Sequence, residues 1–154
     1  MTTVFVAAEK ILNWDADGSL LVDKTASAIL ASHSKNNRFI VYFAPSRFGL
    51  LFESRKETQE AWDYLAASLK LVGFSPNEVF LFEDEIETKP FEDVITSLGE
   101  DEMAILYSND ALDAELSKSL GIRIVEAIPA NISSIWQRFN LKNVIRSLFA
   151  AIQA

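Results

Sequence analysis

The chain alternates short apolar runs with longer amphipathic stretches. Five runs have the length of a strand and few polar positions: 4–8, 39–44, 79–82, 103–107 and 122–125. Between them, large apolar residues recur with helical spacing, as at Trp62, Leu65 and Leu69. Strands without alternating polar positions are typical of a parallel sheet that is covered on both faces. The pattern therefore predicts an α/β fold, a three-layer sandwich with a five-stranded parallel sheet.

Local signals mark where some of these elements begin and end. An Asp-Gly pair, Asp17-Gly18, lies between two apolar patches and predicts the turn of a hairpin. A helix is predicted from Asp23 to Ser34, with Asp23 near its start. Ser54 and Glu57 have the spacing of a capping box, which predicts that the next helix starts there.

The chain carries no repeat, low-complexity tract or linker, so residues 1–154 are predicted to form a single domain. Residues 133–153 are predicted to be a C-terminal amphipathic helix within it. This segment has more large apolar residues than one narrow stripe needs, including Trp136 and Phe139. Either the helix docks onto the sheet, or part of it forms a surface for self-association or for an unknown protein partner.

Composition excludes several classes of function. With no cysteine, the chain has neither disulfides nor thiolate sites, and we expect a reducing, cytoplasmic location. The single histidine, His33, makes histidine-rich metal sites and a histidine-based triad implausible. A formal charge of −8 argues against binding nucleic acid. No apolar run reaches the ~18 residues of a membrane span, so no membrane association is expected.

Polar residues follow the predicted strands at several points. In a parallel α/β sheet, ligands bind beyond the carboxyl ends of the strands. Ser46 and Arg47 follow the second strand, and Arg47 is the best-placed cation for an anionic ligand, although a surface ion pair is an equally good explanation. The acidic stretch 83–87 follows the third strand, and Asp110 and Asp113 follow the fourth.

Three segments of the chain, in this order, resemble the motifs of the haloacid dehalogenase (HAD) superfamily of phosphatases. Asp15-Ala16-Asp17-Gly18-Ser19-Leu20 is similar to the family's first motif, Lys89-Pro90 to its lysine motif, and residues 107–113 to its acidic motif after strand four. The resemblance extends over residues 4–125. It implies a HAD-like, Rossmann-like strand order, and the chain has no room for an inserted cap domain.

The resemblance also implies a chemistry. Asp15 would be the nucleophile that forms an aspartyl-phosphate, and Asp17 would be the general acid and base. Lys89 would neutralise charge at the phosphoryl group. Ser46 would take the role of the family's serine or threonine, although it lies one position after the place where the motif has that residue. Mg²⁺ would bind Asp15 together with Asp110 or Asp113.

Two registers of the first motif stay open. In the first register, Asp15 and Asp17 are the motif residues. In the second, the strand at 4–7 is strand one, so the motif positions fall on Ala8 and Lys10, and neither can serve as nucleophile or acid. Asn109 also stands where the family has an acid. These departures favour a divergent, catalytically silent HAD-like domain that binds another protein and needs no cofactor; the alternative is a Mg²⁺-dependent HAD-type phosphatase or phosphotransferase.

Overall fold

The structure, a computed structural model, describes residues 1–127. The strands are β1 (Thr2–Ala7), β2 (Leu12–Trp14), β3 (Leu20–Val22), β4 (Asn37–Phe43), β5 (Glu78–Leu81), β6 (Met103–Tyr107) and β7 (Arg123–Val125). The helices are α1 (Lys24–Ser32), α2 (Arg55–Leu71), α3 (Lys89–Thr96) and α4 (Ala111–Leu120). Short 3₁₀ turns follow β1, at Ala8–Lys10, and β4, at Pro45–Phe48.

Five strands form one parallel sheet in the order β5-β4-β1-β6-β7, which confirms the predicted α/β fold. β1 lies in the middle, where Val4 pairs with Phe39 of β4 and with Ile105 of β6. β2 and β3 form a separate antiparallel hairpin, with Trp14 opposite Leu20, as the Asp-Gly pair predicts. Because the five strands are parallel, their carboxyl ends meet at one side of the sheet, called the carboxyl edge below.

The central strand shows why the sheet needs cover on both faces. Val4 and Val6 point into one apolar cluster, which includes Leu65 of α2. Phe5 and Ala7 point to the opposite face, into a second cluster with α3 and α4. All the residues of β1 are buried, so an alternating polar pattern would place polar groups in a core. The result is a three-layer, Rossmann-like sandwich.

The predicted helix boundaries are set by side-chain and glycine caps. Asp23 caps α1 by accepting a hydrogen bond from the amide of Ala26, at 3.0 Å. Ser54 caps α2, but Glu57 accepts from the amide of Glu53 rather than from that of Ser54, so only half of the capping box forms. Caps of this kind satisfy amide groups that have no partner inside the helix.

The predicted helix at residues 133–153 lies outside the described residues. The two alternatives for its apolar side chains, docking onto the sheet and a surface for self-association or a partner, therefore stay predictions. Among residues 1–127, no helix is long and apolar enough to cross a membrane.

Candidate functional site

Asp113 is the most unusual side chain at the carboxyl edge, because it is an acid with 0% exposure. It lies in the first turn of α4, just after β6. Arg47 donates two hydrogen bonds to it, from Nη2 to Oδ1 at 2.7 Å and from Nη1 to Oδ2 at 2.8 Å. A buried carboxylate is tolerated only when it is paired and hydrogen-bonded in this way.

Two hydroxyl groups complete the surroundings of Asp113. Tyr42, near the end of β4, donates to Oδ2 at 2.7 Å, and Ser108 donates to the same oxygen. Burial alone would raise the pKa of Asp113, but the hydrogen bonds from Arg47, Ser108 and Tyr42 outweigh it and hold the pKa below its ordinary value. Asp113 is therefore a carboxylate anion at neutral pH.

Arg47 is placed by the 3₁₀ turn that follows β4, and its side chain is only 13% exposed. Its Nη1 atom also lies 3.2 Å from Glu9 Oε2 and 3.6 Å from Asp110 Oδ2. Burial opposes the charge, but the hydrogen bond and attraction of Asp113 raise the pKa of Arg47 above its already high value. The guanidinium is thus a fixed positive charge with carboxylates on several sides.

Glu9 reaches this cluster from the turn after β1. Its Oε2 accepts a hydrogen bond from Arg47. Its Oε1 is buried and has no hydrogen-bond partner among the described residues. Burial raises the pKa of Glu9, and the attraction of Arg47 lowers it only in part. We call Glu9, Arg47, Asp110 and Asp113 the edge ion cluster.

Tyr42 is held in its neutral form. Burial raises its pKa, and the negative charge of Asp113 raises it further. The phenol therefore remains a hydrogen-bond donor to Asp113 across the whole working range of pH. Sequence reasoning did not single out Glu9, Tyr42 or Ser108. The one available signal was Tyr42 itself, because a tyrosine in a fully buried strand needs a partner for its hydroxyl group.

The structure places Asp15 and Asp17 in the turn of the β2–β3 hairpin. Asp15 Oδ1 accepts hydrogen bonds from the backbone amides of Asp17, at 2.9 Å, and Ser19, at 2.8 Å. A carboxylate that accepts from amides two and four residues ahead is a turn-forming group. Among residues 1–127, no three His, Cys, Asp or Glu side chains are arranged to hold a metal, so Asp15 does not form such a group with Asp110 and Asp113.

Lys89 begins α3 and is also separate from the edge ion cluster. Its ammonium group pairs with Asp93 at 2.9 Å, and its side chain is 76% exposed. The hydrogen bond that Lys89 donates to Asp93 raises the pKa of Lys89. In the first register Lys89 is expected beside the reacting phosphate. In the structure it pairs instead with Asp93, one helical turn further along α3, and both side chains are exposed.

The positions of the second register follow the central strand directly. β1 ends at Ala7, and Ala8 is fully buried. Lys10 donates from Nζ to the backbone carbonyl of Glu126 and lies 4.8 Å from the centre of the Tyr107 ring. Neither side chain is a carboxylate, so neither can form an acyl-phosphate or ligate Mg²⁺ at the end of β1.

A cavity of about 470 Å³ opens beside Arg47, between the turn after β4, the loop after β5 and α4. Ser46 borders it and donates a hydrogen bond to the backbone carbonyl of Asp84 at 2.6 Å, which ties the two loops together. Its other lining residues are acidic, apolar or carry a hydroxyl group: Asp84, Glu85, Ile86, Thr88, Leu112, Asp113, Glu115, Leu116 and Ser119. Arg47 is the one basic residue among the described residues that line it.

The side chains at the carboxyl edge do not fit the Mg²⁺ ion that the resemblance implies. Both oxygens of Asp113 accept hydrogen bonds from Arg47, and a cation cannot approach them without displacing that guanidinium. Mg²⁺ would need direct carboxylate ligands at about 2.0–2.1 Å. Asp15, which was expected to bind the ion together with Asp110 or Asp113, accepts hydrogen bonds from two amides of its own turn.

The fold and the site define a Rossmann-like α/β domain that carries a partly buried ion cluster at its carboxyl edge. Comparison with known protein families finds none that matches this chain, and no curated protein matches it either. A function for the chain therefore rests on its fold and on the contacts described above.

Proposed function

We propose that this chain is a divergent HAD-like domain that has no phosphatase activity and acts as a protein-binding module. The observation that carries the proposal is the two-point ion pair between Arg47 and Asp113. A HAD-type reaction needs a free carboxylate and a metal at the carboxyl edge. Here the buried carboxylate and the adjacent cation neutralise each other.

The end of the central strand supports the same conclusion. A phosphotransferase of this type needs a carboxylate that can attack phosphorus, and Ala8 provides only a methyl group. Glu9 is the nearest acid along the chain, but one of its oxygens is paired with Arg47 and the other is buried. No carboxylate at this point of the described chain is both free of a partner and accessible.

The charges around the 470 Å³ cavity favour a positively charged partner. Asp84, Glu85 and Glu115 line it, whereas the charge of Arg47 is already opposed by Asp113. A phosphate ester would meet uncompensated carboxylates, but a lysine or arginine side chain would be attracted. Leu112, which is 69% exposed, adds an apolar contact at the same place. We therefore assign the binding function to this cavity and its partner to a basic segment with apolar residues.

The absence of phosphatase activity is tested by incubating the full chain with p-nitrophenyl phosphate and Mg²⁺. We expect no turnover above that of the Asp15→Asn variant. The matched control is Asp101→Asn. It removes an exposed acid just before β6, at the end of that strand far from the carboxyl edge. Mg²⁺-dependent turnover that disappears in Asp15→Asn and persists in Asp101→Asn would overturn the proposal. It would favour the alternative, a phosphatase that uses Asp15 and Asp17.

The binding function is tested with two fluorescent peptides, one of alternating lysine and leucine and one of alternating glutamate and leucine. Fluorescence anisotropy should show binding of the lysine peptide only. Glu85→Gln should weaken it, whereas Glu100→Gln, an equal change of charge before β6, should not. If both substitutions weaken binding equally, the attraction comes from the net charge and the cavity has no special part.

A further inference from the structure

The charges of the chain are divided unevenly along its length. All 22 acidic side chains lie within residues 1–127, and residues 128–154 contain none. The segment 128–154 is basic through three residues: Arg138, Lys142 and Arg146. They recur every four residues, so they share one face of the helix that the sequence predicts at 133–153. The segment and the domain before it therefore have opposite charges and attract each other.

Apolar residues accompany the cations of this segment. Each cation has a large apolar residue three positions away, and the four residues concerned are Ile135, Phe139, Ile145 and Phe149. Residues three apart are neighbours on the surface of a helix. The segment is thus a basic stretch with apolar residues, and this is the chemistry that the 470 Å³ cavity favours through Glu85 and the exposed Leu112.

We infer that residues 128–154 occupy the 470 Å³ cavity of their own chain, so that the domain covers its own binding site. The inference rests on the proposed function, because it names the first partner of the cavity assigned there. An outside basic partner binds only by displacing this segment. The segment therefore sets the affinity that any such partner meets.

The path of the chain brings the segment to the cavity. β7 ends at Val125, at the carboxyl edge, where the cavity also opens. β6 and β1 separate β7 from β4, whose following turn lines the cavity, so the distance across the sheet is about 14 Å at a strand spacing of about 4.8 Å. Even a helix, at about 1.5 Å per residue, covers that distance in about ten residues. Arg138, the first cation of the segment, lies beyond that length.

The cavity has carboxylates that are available to these cations. Arg47 is the one basic residue among the described residues that line it, and its guanidinium is already held by Asp113 at 2.7 and 2.8 Å. Neither Asp84 nor Glu85 pairs with a cation within residues 1–127. A cation that enters the cavity therefore reaches carboxylates without displacing another positive charge.

The direct test is carbodiimide cross-linking of the dilute full chain, followed by mass spectrometry of the monomer. The reagent joins a lysine amine to a carboxyl group in contact with it, and Lys142 is the only lysine in residues 128–154. We expect links from Lys142 to Glu85 and the other acids of the cavity. Glu100 and Asp101, exposed acids before β6, should remain unlinked. The lysine–leucine peptide should compete with the segment and reduce the links.

Full-chain variants measure how far the segment closes the cavity. One variant replaces all three cations of the segment: Arg138→Gln, Lys142→Gln and Arg146→Gln. If the segment fills the cavity about nine-tenths of the time, this variant should bind the lysine–leucine peptide about tenfold more tightly than the wild type. The matched control makes an equal change of charge at three exposed lysines of the described chain: Lys24→Gln, Lys35→Gln and Lys70→Gln. Its affinity should stay close to that of the wild type.

The inference is overturned if Lys142 forms no link to the cavity acids, or links to Glu100 and Asp101 as readily. Links found only in covalent dimers would also overturn it, because the segment would then reach a second copy of the chain. So would an equal gain of affinity in the matched control. Phosphatase turnover by the wild type, or peptide binding that Glu85→Gln does not weaken, would instead overturn the proposed function, so the two failures are distinguishable.

Discussion

Arg47 and Asp113 lie 66 positions apart in the chain and meet in an ion pair with N···O distances of 2.7 and 2.8 Å. Arg47 follows β4 and Asp113 follows β6, and β1 lies between these two strands in the sheet. The pair therefore links the loops on either side of the central strand, at the place where ligands bind in sheets of this kind.

Removal of only one partner of this pair should destabilise the folded state strongly. Asp113→Ala leaves the buried Arg47 charge without its strongest partner, so we expect the free energy of unfolding to fall by about 3–5 kcal/mol. Urea unfolding followed by circular dichroism measures the change. Asp101→Ala, at an exposed acid without a comparable contact, should change it by less than about 0.5 kcal/mol.

Replacing both partners should cost much less than replacing one. In Arg47→Met combined with Asp113→Leu, no buried charge of this pair is left unpaired, and such replacements of ion pairs are often neutral or stabilising. We expect the double variant to be more stable in urea than Asp113→Ala. If it is as unstable as that single variant, lost packing or the loss of Arg47 beside Glu9 explains the effect.

The hydroxyl group of Tyr42 should contribute through its bond to Asp113. Tyr42→Phe keeps the ring among its aromatic neighbours but removes a donor to a buried carboxylate. We expect a loss of about 1–3 kcal/mol in the free energy of unfolding, as for other hydrogen bonds to charged groups. Tyr64→Phe is the control, because Tyr64 is 71% exposed, and it should be nearly neutral.

Asp113 and Glu9 should give the stability a dependence on pH with opposite signs. The pKa of Asp113 is lowered by folding, so its contribution is present above its ordinary value of 3.8 and is lost as the pH falls below it. The pKa of Glu9 is raised by folding, so the folded state holds that proton longer than the unfolded chain. Its effect therefore lowers the stability as the pH rises above 4.5.

Glu9→Gln isolates the effect of Glu9 on the dependence of stability on pH. The substitution removes the titrating group, so the decline in unfolding free energy above pH 4.5 should be smaller than in the wild type. Urea unfolding at a series of pH values measures both slopes. Glu100→Gln, an exposed acid, should keep the slope of the wild type. An unchanged slope in Glu9→Gln would show that Glu9 has the same pKa in the folded and unfolded chain.

Much of the fold could be predicted because its determinants are local. Apolar runs without alternation indicate strands buried on both faces, and the structure has β1, β4, β5, β6 and β7 close to the predicted runs. Asp23 begins a helix as expected, and Gly121, with a positive φ of 66°, ends one. Each of these signals depends on a few neighbouring residues and not on the tertiary structure.

The edge ion cluster was harder to predict because its partners are distant in sequence. Arg47, Asp110 and Asp113 stood out as polar residues after strands, and the structure brings them together. Glu9 did not, since an acid after a short strand is an ordinary surface residue in most chains. The residues around Asp15 suit a catalytic motif and a tight turn equally well, because both use Asp and Gly, and the contacts in the structure are those of a turn.

Asp15 is therefore expected to stabilise the hairpin and to have no influence on the ionisation of the groups at the carboxyl edge. Asp15→Ala removes the acceptor for the amides of Asp17 and Ser19, so we expect a loss of about 0.5–2 kcal/mol in the free energy of unfolding, as for a lost helix cap. Asp17→Ala is the control, because the Asp17 side chain makes no hydrogen bond among the described residues. The dependence of stability on pH, which reports the edge ion cluster, should be the same in both variants as in the wild type. A changed pH dependence in Asp15→Ala alone would place Asp15 in electrostatic contact with that cluster.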